Sequence, residues 1–213
     1  MKRFIGIFCV LLMAAGIFLG VYRLFFHEEP EVYPDPTVVI TLSDGSVLNA
    51  VLYPSAAPNT VANFVELAKA GFYDGLEIHR VVPGVLIQTG DPAGDGTGGA
   101  GYYIHGEFSA NGYANPLSHT RGAISMSRQP KGGYNTASSQ FFIMQGSFPE
   151  YDGQYAVFGA LTDEESLLTL DEIGGRPVDG NHRPLNRIFV RTIEVDTHGA
   201  EYHALKIEQE EET

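Results

Sequence analysis

The sequence predicts a mainly β domain, either a barrel or a sandwich, with one or two helices and a membrane-spanning helix ahead of it. Short runs rich in β-branched and aromatic residues recur between turn residues along most of the chain. Few segments have the spacing of a helix. Many short strands with few helices are typical of all-β architectures. A long uncharged run at the N-terminus predicts the membrane-spanning helix.

The N-terminal segment predicts a membrane anchor. The nineteen residues 4–22 carry no charge and follow Lys2 and Arg3, and about 20 apolar residues suffice to cross a bilayer. A cleaved signal peptide is the alternative, since residues 14–16 (Ala-Ala-Gly) could serve as a cleavage site. The apolar run continues beyond that site, which is long for a signal peptide. We therefore expect residues 1–26 to form an uncleaved signal anchor and transmembrane helix.

Charge predicts the orientation of this anchor. Positive residues stay on the cytoplasmic side, and Lys2 and Arg3 precede the apolar run. We therefore expect a single-pass protein of the cell membrane with the domain that follows the anchor outside the cytoplasm. Residues 27–36 are rich in proline and acids and predict a stiff linker. The only cysteine, Cys9, lies in the apolar run, so the outer domain must fold without a disulfide.

The composition excludes several classes of partner. The net charge is −13, and an acidic surface repels phosphate backbones, so we expect no nucleic acid partner. The seven histidines are scattered without metal-binding spacing, and we expect no metal and no cofactor. Residues 197–213 are interpreted as an acidic, solvated C-terminal tail. We expect the domain to be a monomer.

The first elements of the domain have strong local signals. Residues 37–53 predict a β-hairpin, because two β-rich runs flank a turn that contains Asp44-Gly45. Pro58 occupies a favoured first-turn position of a helix, and Gly71 ends it. Between them, apolar residues recur at helical intervals: Val61, Phe64, Val65 and Ala68.

The remaining elements are mostly short strands. The composition predicts strands in the segments 76–82, 86–90, 122–127, 139–145, 155–161 and 188–195. Residues 163–173 predict a short helix, with acids at the start and glycines after the end. The glycine-rich segment 90–101 is interpreted as a rim loop. It opens no helix in a βαβ unit and no Lys-Ser/Thr follows it, so a dinucleotide or phosphate loop is disfavoured.

Two stretches, IHRVVPGVLIQTGD (78–91) and TASSQFFIMQG (136–146), combine few polar side chains with apolar ones. No serine lies in a hydrolase nucleophile motif. His79 falls on the opposite strand face from Arg80 and is interpreted as a packed histidine. Chemistry here must use a cation, an amide and an apolar surface, without a nucleophile.

These residues resemble a known family. HRVVPGVLIQTGD, GTGG, SSQFF and YAVFG occur in the order and spacing of the cyclophilin-type peptidyl-prolyl cis-trans isomerases. The resemblance covers residues 37–196, which we interpret as an isomerase domain. It implies a closed eight-stranded antiparallel β-barrel capped by two α-helices. It also implies an enzyme that accelerates X-Pro bond rotation, and its partners would be proline-containing segments of unfolded or exported proteins.

The resemblance also implies the roles of particular residues. Arg80 would be the catalytic donor to the prolyl nitrogen, and Gln88 would hold the substrate backbone. Phe142 would face the proline pocket, and Phe141 would lie inside the barrel. The implied substrate-binding residues are Val85, Leu86, Gln140, Phe142, Tyr151 and Tyr155. A non-catalytic proline-binding module or holdase chaperone at the membrane surface remains the alternative function.

The chain departs from the eukaryotic pattern of this family at several positions. Val85 stands where a phenylalanine is frequent, and Tyr155 replaces a histidine. The wall that carries a tryptophan in eukaryotic members contains Glu150 and Tyr151, and the chain has no tryptophan. Residues 127–129 do not align with the eukaryotic pattern. These differences predict a remodelled rim around a retained proline pocket.

Overall fold

The computed structural model describes residues 33–129 and 132–208. The anchor predicted at residues 1–26 and most of the linker 27–36 lie outside the described residues. Within the described part of the chain, no helix is both long and apolar enough to span a bilayer.

The described chain is mainly β, as predicted. Short 3-10 helices at Ser109–Asn111 and Pro149–Tyr151 interrupt the loops. The regular elements in chain order are β1 (Thr37–Leu42), β2 (Val47–Leu52), α1 (Pro58–Lys69), β3 (Arg80–Val82), β4 (Leu86–Thr89), β5 (Tyr102–Tyr103), β6 (Ala123–Met126), β7 (Phe141–Met144), β8 (Ala156–Leu161), α2 (Glu164–Gly174), β9 (Val190–Asp196) and β10 (Ile207–Glu208).

Eight strands form one curled sheet in the order β3-β4-β7-β6-β8-β2-β1-β9. The resemblance implied a closed barrel, but this ladder ends at β3 and β9. The predicted strand 76–82 is regular only over Arg80–Val82. The residues before it meet the start of β9 through separate backbone hydrogen bonds, from Gly75 N to Val190 O (2.8 Å) and from Ile78 N to Ile188 O (2.9 Å). The sheet is therefore a half-barrel whose ends approach each other without a continuous ladder.

The hairpin of β1 and β2 forms where the local signals predict it. The two strands pair in antiparallel register. The carboxylate of Asp44 accepts hydrogen bonds from the backbone N–H (3.1 Å) and hydroxyl (2.6 Å) of Ser46. Gly45 has a φ of +91°, a conformation that side chains disfavour. The turn is thus specified by residues within the hairpin itself.

The two helices are stabilised at their N-termini in different ways. Asp163 caps α2 locally, because its carboxylate accepts from Ser166 N at 2.8 Å. No side chain of the preceding residue caps α1. Instead the buried carboxylate of Glu107 accepts from the backbone N–H groups of Asn59 (3.0 Å) and Thr60 (2.8 Å). This cap comes from a residue 47 positions away from Thr60, so local sequence does not indicate it.

Side-chain alternation divides the apolar residues between two clusters. The interior cluster contains the rings of Phe64, Tyr73, Phe141 and Phe158. The second cluster lies on the other side of the sheet and contains Leu86, Ala123, Phe142, Met144 and Val157. The structure confirms that Phe141 lies in the interior and Phe142 on the opposite face, because successive strand residues point to opposite sides.

The C-terminal segment packs on the domain up to residue 208. Strand β10 pairs with β5, and Leu205 N donates to Asn59 Oδ1 at 2.6 Å. Lys206 forms an ion pair with Glu66 at 3.0 Å. Residues 197–208 of the predicted acidic tail therefore include a paired strand, which the sequence analysis did not anticipate. Residues 209–213 lie outside the described residues.

Candidate functional site

A pocket of about 310 Å³ opens beside β4, β6 and β7. Seven of the eight predicted site residues line it: Arg80, Leu86, Gln88, Gln140, Phe142, Tyr151 and Tyr155. Val85 does not line the pocket, and packs as a partly buried residue at the edge of the second apolar cluster. The fold therefore gathers residues from four separate sequence segments into one concave site.

Three polar side chains of the pocket are connected by consecutive hydrogen bonds. Arg80 and Gln88 are register partners across β3 and β4, and Arg80 Nη1 donates to Gln88 Oε1 at 3.1 Å. Gln88 Nε2 donates to Gln140 Oε1 at 2.8 Å. Gln140 Nε2 in turn donates to the carbonyls of Gly96 (3.0 Å) and Gly98 (2.8 Å). We call Arg80, Gln88 and Gln140 the relay.

The Gln88 side chain is held at both ends of its amide by protein groups. Its carbonyl oxygen accepts from Arg80 and so helps to fix the position of the guanidinium. Among the described residues, no carboxylate lies within ion-pair distance of Arg80. Since the relay is neutral beyond the guanidinium, the positive charge stays available to the pocket.

A buried acid three residues before Arg80 is neutralised by other cations. Glu77 is 4% exposed and accepts from Arg187 Nε at 2.8 Å and Arg183 Nη2 at 2.5 Å. Hydrogen bonds from Arg187 and then Arg183 outweigh burial and lower the pKa of Glu77 to about 2. Glu77 is thus ionised and already paired.

The pocket floor is aromatic and apolar. The Phe142 ring lies 5.5 Å from the Tyr155 ring and 6.0 Å from the Tyr151 ring, both near edge-on. Leu86 and Met144 are buried in the same cluster. Such a surface can hold a small saturated ring by apolar burial, and its aromatic edges set the shape of the cavity.

A buried histidine behind the floor escaped the sequence analysis. The His119 ring stacks on Phe142 at 6.0 Å and 19°. Its Nδ1 lies 2.8 Å from Asp152 Oδ1 and its Nε2 2.9 Å from Ser125 Oγ. Burial lowers the pKa of His119, and the hydrogen bond with Asp152 opposes this only in part. The neutral ring therefore supports Phe142 from behind, with an orientation fixed at both nitrogens.

The other histidine near the site is packed, as predicted. His79 is 6% exposed, and neither of its ring nitrogens has a hydrogen-bond partner among the residues that the structure describes. Burial lowers its pKa. Across the described residues, no group of three or more His, Cys, Asp or Glu side chains could hold a metal ion.

The glycine-rich segment forms one rim of the pocket through Gly96, Thr97, Gly98 and Gly99. The buried carboxylate of Asp91 accepts from the backbone N–H groups of Ala93 (2.8 Å), Asp95 (2.9 Å) and Gly96 (2.5 Å). A Cβ at Gly98 would lie 2.2 Å from Asp91 Oδ1. Asp91 on one side and the relay on the other therefore shape this loop.

The opposite rim contains the residues that did not align with the eukaryotic pattern. Ser127, Arg128 and Gln129 all line the pocket. On the wall without tryptophan, Tyr151 faces the pocket, whereas Glu150 is exposed and does not line it. The sequence analysis gave Arg128 no role, because a single arginine shortly before Gly132 and Gly133 resembles an ordinary surface residue.

Known proteins are similar to this chain over the domain that contains the pocket. Residues 37–195 match the family model described as "Cyclophilin type peptidyl-prolyl cis-trans isomerase/CLD". Peptidyl-prolyl cis-trans isomerase B of Bacillus subtilis is 49% identical over 121 residues, which cover 57% of this chain and 80% of that protein. A peptidyl-prolyl cis-trans isomerase of Helicobacter pylori is 41% identical over 146 residues, or 68% of this chain and 85% of that protein. The chain spans 41% of the length of a Streptococcus pyogenes relative that is 37% identical.

Solved structures show the same similarity. A cyclophilin-type peptidyl-prolyl cis-trans isomerase of Cryptosporidium parvum has a TM-score of 0.67 and 33% identity, covering 76% of this chain and 98% of that one. A second structure of that protein, in the presence of the dipeptide Ala-Pro, has a TM-score of 0.66 and 34% identity, covering 75% of this chain and 98% of that one.

Proposed function

The chain belongs to the cyclophilin-type peptidyl-prolyl cis-trans isomerase family, and from this premise we propose that Arg80 accelerates X-Pro rotation by hydrogen bonding to the twisted prolyl imide. One observation carries the proposal. The Arg80 guanidinium, which has no carboxylate partner among the described residues, is held by the relay at the edge of an apolar floor. The site thus offers a fixed cationic donor beside a receptacle for a ring.

The chemistry of the X-Pro bond needs no more than this. Its cis and trans forms are nearly balanced, but rotation crosses a barrier of roughly 18–20 kcal/mol because amide resonance is lost. In the twisted state the prolyl nitrogen regains a lone pair and can accept a hydrogen bond. An arginine remains protonated and donates from a rigid fork. A donor held in place before the reaction stabilises the transition state without reorganisation.

The other pocket residues take supporting roles in this proposal. Phe142 and Leu86 hold the proline ring, and Tyr151 and Tyr155 close the sides of the receptacle. Gln88 positions Arg80. Gln140 connects Gln88 to the glycine-rich rim, where the substrate backbone would pass. Val85 lies outside the lining and contributes only through the edge of the apolar cluster.

We further propose that this activity serves exported proteins at the outer surface of the cell membrane. The support is the uncharged run of residues 4–22 after Lys2 and Arg3. Uncatalysed proline isomerisation is slow enough to be a rate-limiting step in folding, and chains newly exported across the membrane must fold outside the cytoplasm. The substrates would be proline-containing segments of unfolded chains, bound by a monomer.

Replacement of Arg80 tests the mechanism. We expect Arg80→Ala to lower kcat/KM by about a hundred- to a thousandfold, the typical loss of one preorganised donor. Peptide affinity should change little, because the bond is strongest in the transition state. Arg80→Lys keeps the charge but loses the planar fork, and most activity should still be lost. Exchange NMR on an Ala-Pro peptide measures turnover, and a titration measures affinity.

The control is Arg191→Ala, which removes an exposed arginine on β9 and should leave both quantities unchanged. If saturated Arg80→Ala isomerises the peptide at the wild-type rate, Arg80 is only a binding residue. If the wild-type protein binds the peptide without enhancing exchange, the proline-binding module replaces the enzyme.

A further inference from the structure

Arg128 is a second cation in the pocket, and its guanidinium is held by aromatic rings. Its Cζ lies 5.0 Å from the centre of the Tyr155 ring, 5.2 Å from that of Tyr134 and 5.8 Å from that of Phe108. Its Nε donates to Gln154 O at 3.1 Å. Stacked faces and one hydrogen bond fix the plane of the guanidinium, since arginine combines cation-π contact with in-plane donors.

In the described part of the chain, nothing binds the terminal nitrogens of Arg128. Within residues 33–129 and 132–208, Nη1 and Nη2 have no hydrogen-bond partner and no carboxylate lies within ion-pair distance. Four other arginines do pair with acids: Arg121, Arg176, Arg183 and Arg187. In a chain with 26 acidic and 13 basic residues, a half-buried arginine without an acid leaves a site for an external anion.

The position of Arg128 relates this anion to the proline. The Tyr155 ring contacts Arg128 on one side and lies 5.5 Å from the Phe142 ring. One residue of extended chain spans about 3.3–3.6 Å. When a proline ring rests on Phe142, the side chain of a directly flanking residue can therefore reach past Tyr155 to the free edge of the guanidinium.

We propose that Arg128 is a specificity-determining residue that selects proline segments with a glutamate or aspartate directly beside the proline. This inference rests on the proposed function, because it assumes that prolyl peptides occupy the pocket. A carboxylate would accept two parallel hydrogen bonds from Nη1 and Nη2. The cation-π contacts hold the guanidinium before the substrate arrives, so little side-chain freedom is lost on binding.

The test compares carboxylate and amide substrates of the same shape. We would measure kcat/KM of the full-length protein for Ala-Glu-Pro-Phe against Ala-Gln-Pro-Phe, and for Ala-Pro-Glu-Phe against Ala-Pro-Gln-Phe. Both ends of each peptide are blocked, so that the side chain is the only carboxylate. At low salt we expect a Glu/Gln ratio of roughly three to ten for one of the two pairs, a charged hydrogen bond discounted for solvent. The ratio should fall towards one at high salt.

Arg128→Gln should bring the ratio to one or below in the same buffer, because only the acidic surface of the protein then acts on the charge. The ratio cancels any general loss of activity in the variant. Arg191→Gln carries the same charge change on β9 and should keep the wild-type ratio. An unblocked Ala-Ala-Pro peptide measures whether a chain-terminal carboxylate is accepted instead.

The outcomes distinguish a failure of the inference about Arg128 from a failure of the proposed function. Turnover of Ala-Pro peptides with a Glu/Gln ratio of one in both wild-type pairs would leave the isomerase intact and overturn the role of Arg128. Preference for the unblocked terminus alone, or a preference that survives Arg128→Gln, would also overturn it. If Arg128→Gln fails to fold, Arg128→Lys replaces it, because lysine keeps the charge but lacks the planar fork that holds a carboxylate through two hydrogen bonds. A Glu/Gln ratio in Arg128→Lys as high as in the wild type would then overturn the inference.

Discussion

The two faces of β7 differ in what surrounds two consecutive phenylalanines. Phe141 is fully buried and meets the rings of Phe64 at 5.3 Å and Tyr73 at 5.5 Å. Phe142 is 3% exposed, but its ring neighbours are His119 and two tyrosines. The interior face is completed by the chain itself, whereas the pocket face combines an apolar floor with polar groups at its rim.

The two faces differ mainly in the polar groups that stand beside them. Both faces of β7 are apolar, because its successive side chains point into the two apolar clusters in turn. The relay lies beside the pocket face, where the Gln88 amide connects Arg80 to Gln140, just before β7, and the Gln140 amide reaches the glycine-rich rim. In the proposed mechanism, the apolar face becomes a binding site because a fixed donor stands at its edge.

Truncating each phenylalanine should show the contrast most strongly. We expect Phe141→Ala to lower the free energy of unfolding by about 3–5 kcal/mol, the typical cost of an aromatic cavity in a closed core. Phe142→Ala should cost about 2 kcal/mol, because water from the pocket can fill the space. Urea unfolding of the full-length variants measures both losses.

The two phenylalanine variants should also differ in their affinity for a proline peptide. Phe142→Ala is expected to weaken Ala-Pro affinity, since in the proposed function the ring holds proline in ground and transition states alike. Folded Phe141→Ala should retain affinity within a few-fold. Equal stability losses together with equal affinity losses would show that the two faces are not distinct.

Acidification should act on the histidine behind the floor. Burial lowers the pKa of His119 in the fold, so below about pH 6.5 the unfolded chain binds more protons than the folded one. The contribution of His119 to stability is therefore complete above pH 6.5 and is lost as the pH falls towards its folded pKa. His79 adds a loss of the same sign. Each histidine steepens the loss by up to about 1.4 kcal/mol per pH unit.

Urea unfolding of wild type and His119→Gln between pH 5 and pH 7.5 measures this effect. Glutamine can still hydrogen bond to Asp152 or Ser125 but does not titrate, so the variant should lose less stability per pH unit than the wild type. An identical pH slope in the two proteins would remove His119 from the explanation and leave His79 as its source.

The relay should produce the smallest effect. Gln140→Ala removes the acceptor for Gln88 Nε2 and both donors to the glycine-rich rim. We expect kcat/KM to fall roughly five- to twentyfold, the value of one or two net hydrogen bonds, while stability changes little. Gln145→Ala is the matched control. It removes an amide just after β7 that bonds Gly84 N and Leu170 O outside the pocket, and activity should stay near wild type. Comparable activity losses in both variants would contradict the positioning role of Gln140.

Local chemistry in the sequence determined a large part of the fold. Asp44 and Gly45 specify a turn within the hairpin, and Pro58 and Asp163 mark the starts of two helices at the predicted places. Alternation assigned Phe141 and Phe142 to opposite faces, because the side-chain period of a strand is two. The resemblance indicated seven residues that the structure brings to one pocket.

Only the tertiary structure decided the features that join distant parts of the chain. The ladder ends at β3 and β9, Glu107 caps α1, and Asp152 orients His119 from 33 residues away. The Arg128 guanidinium is held by rings from three separate segments, and β10 pairs with β5 across about a hundred residues. Local sequence patterns predict which face of an element a side chain occupies. They do not predict which distant groups satisfy its hydrogen bonds and charge, because those partners meet only when the chain has folded.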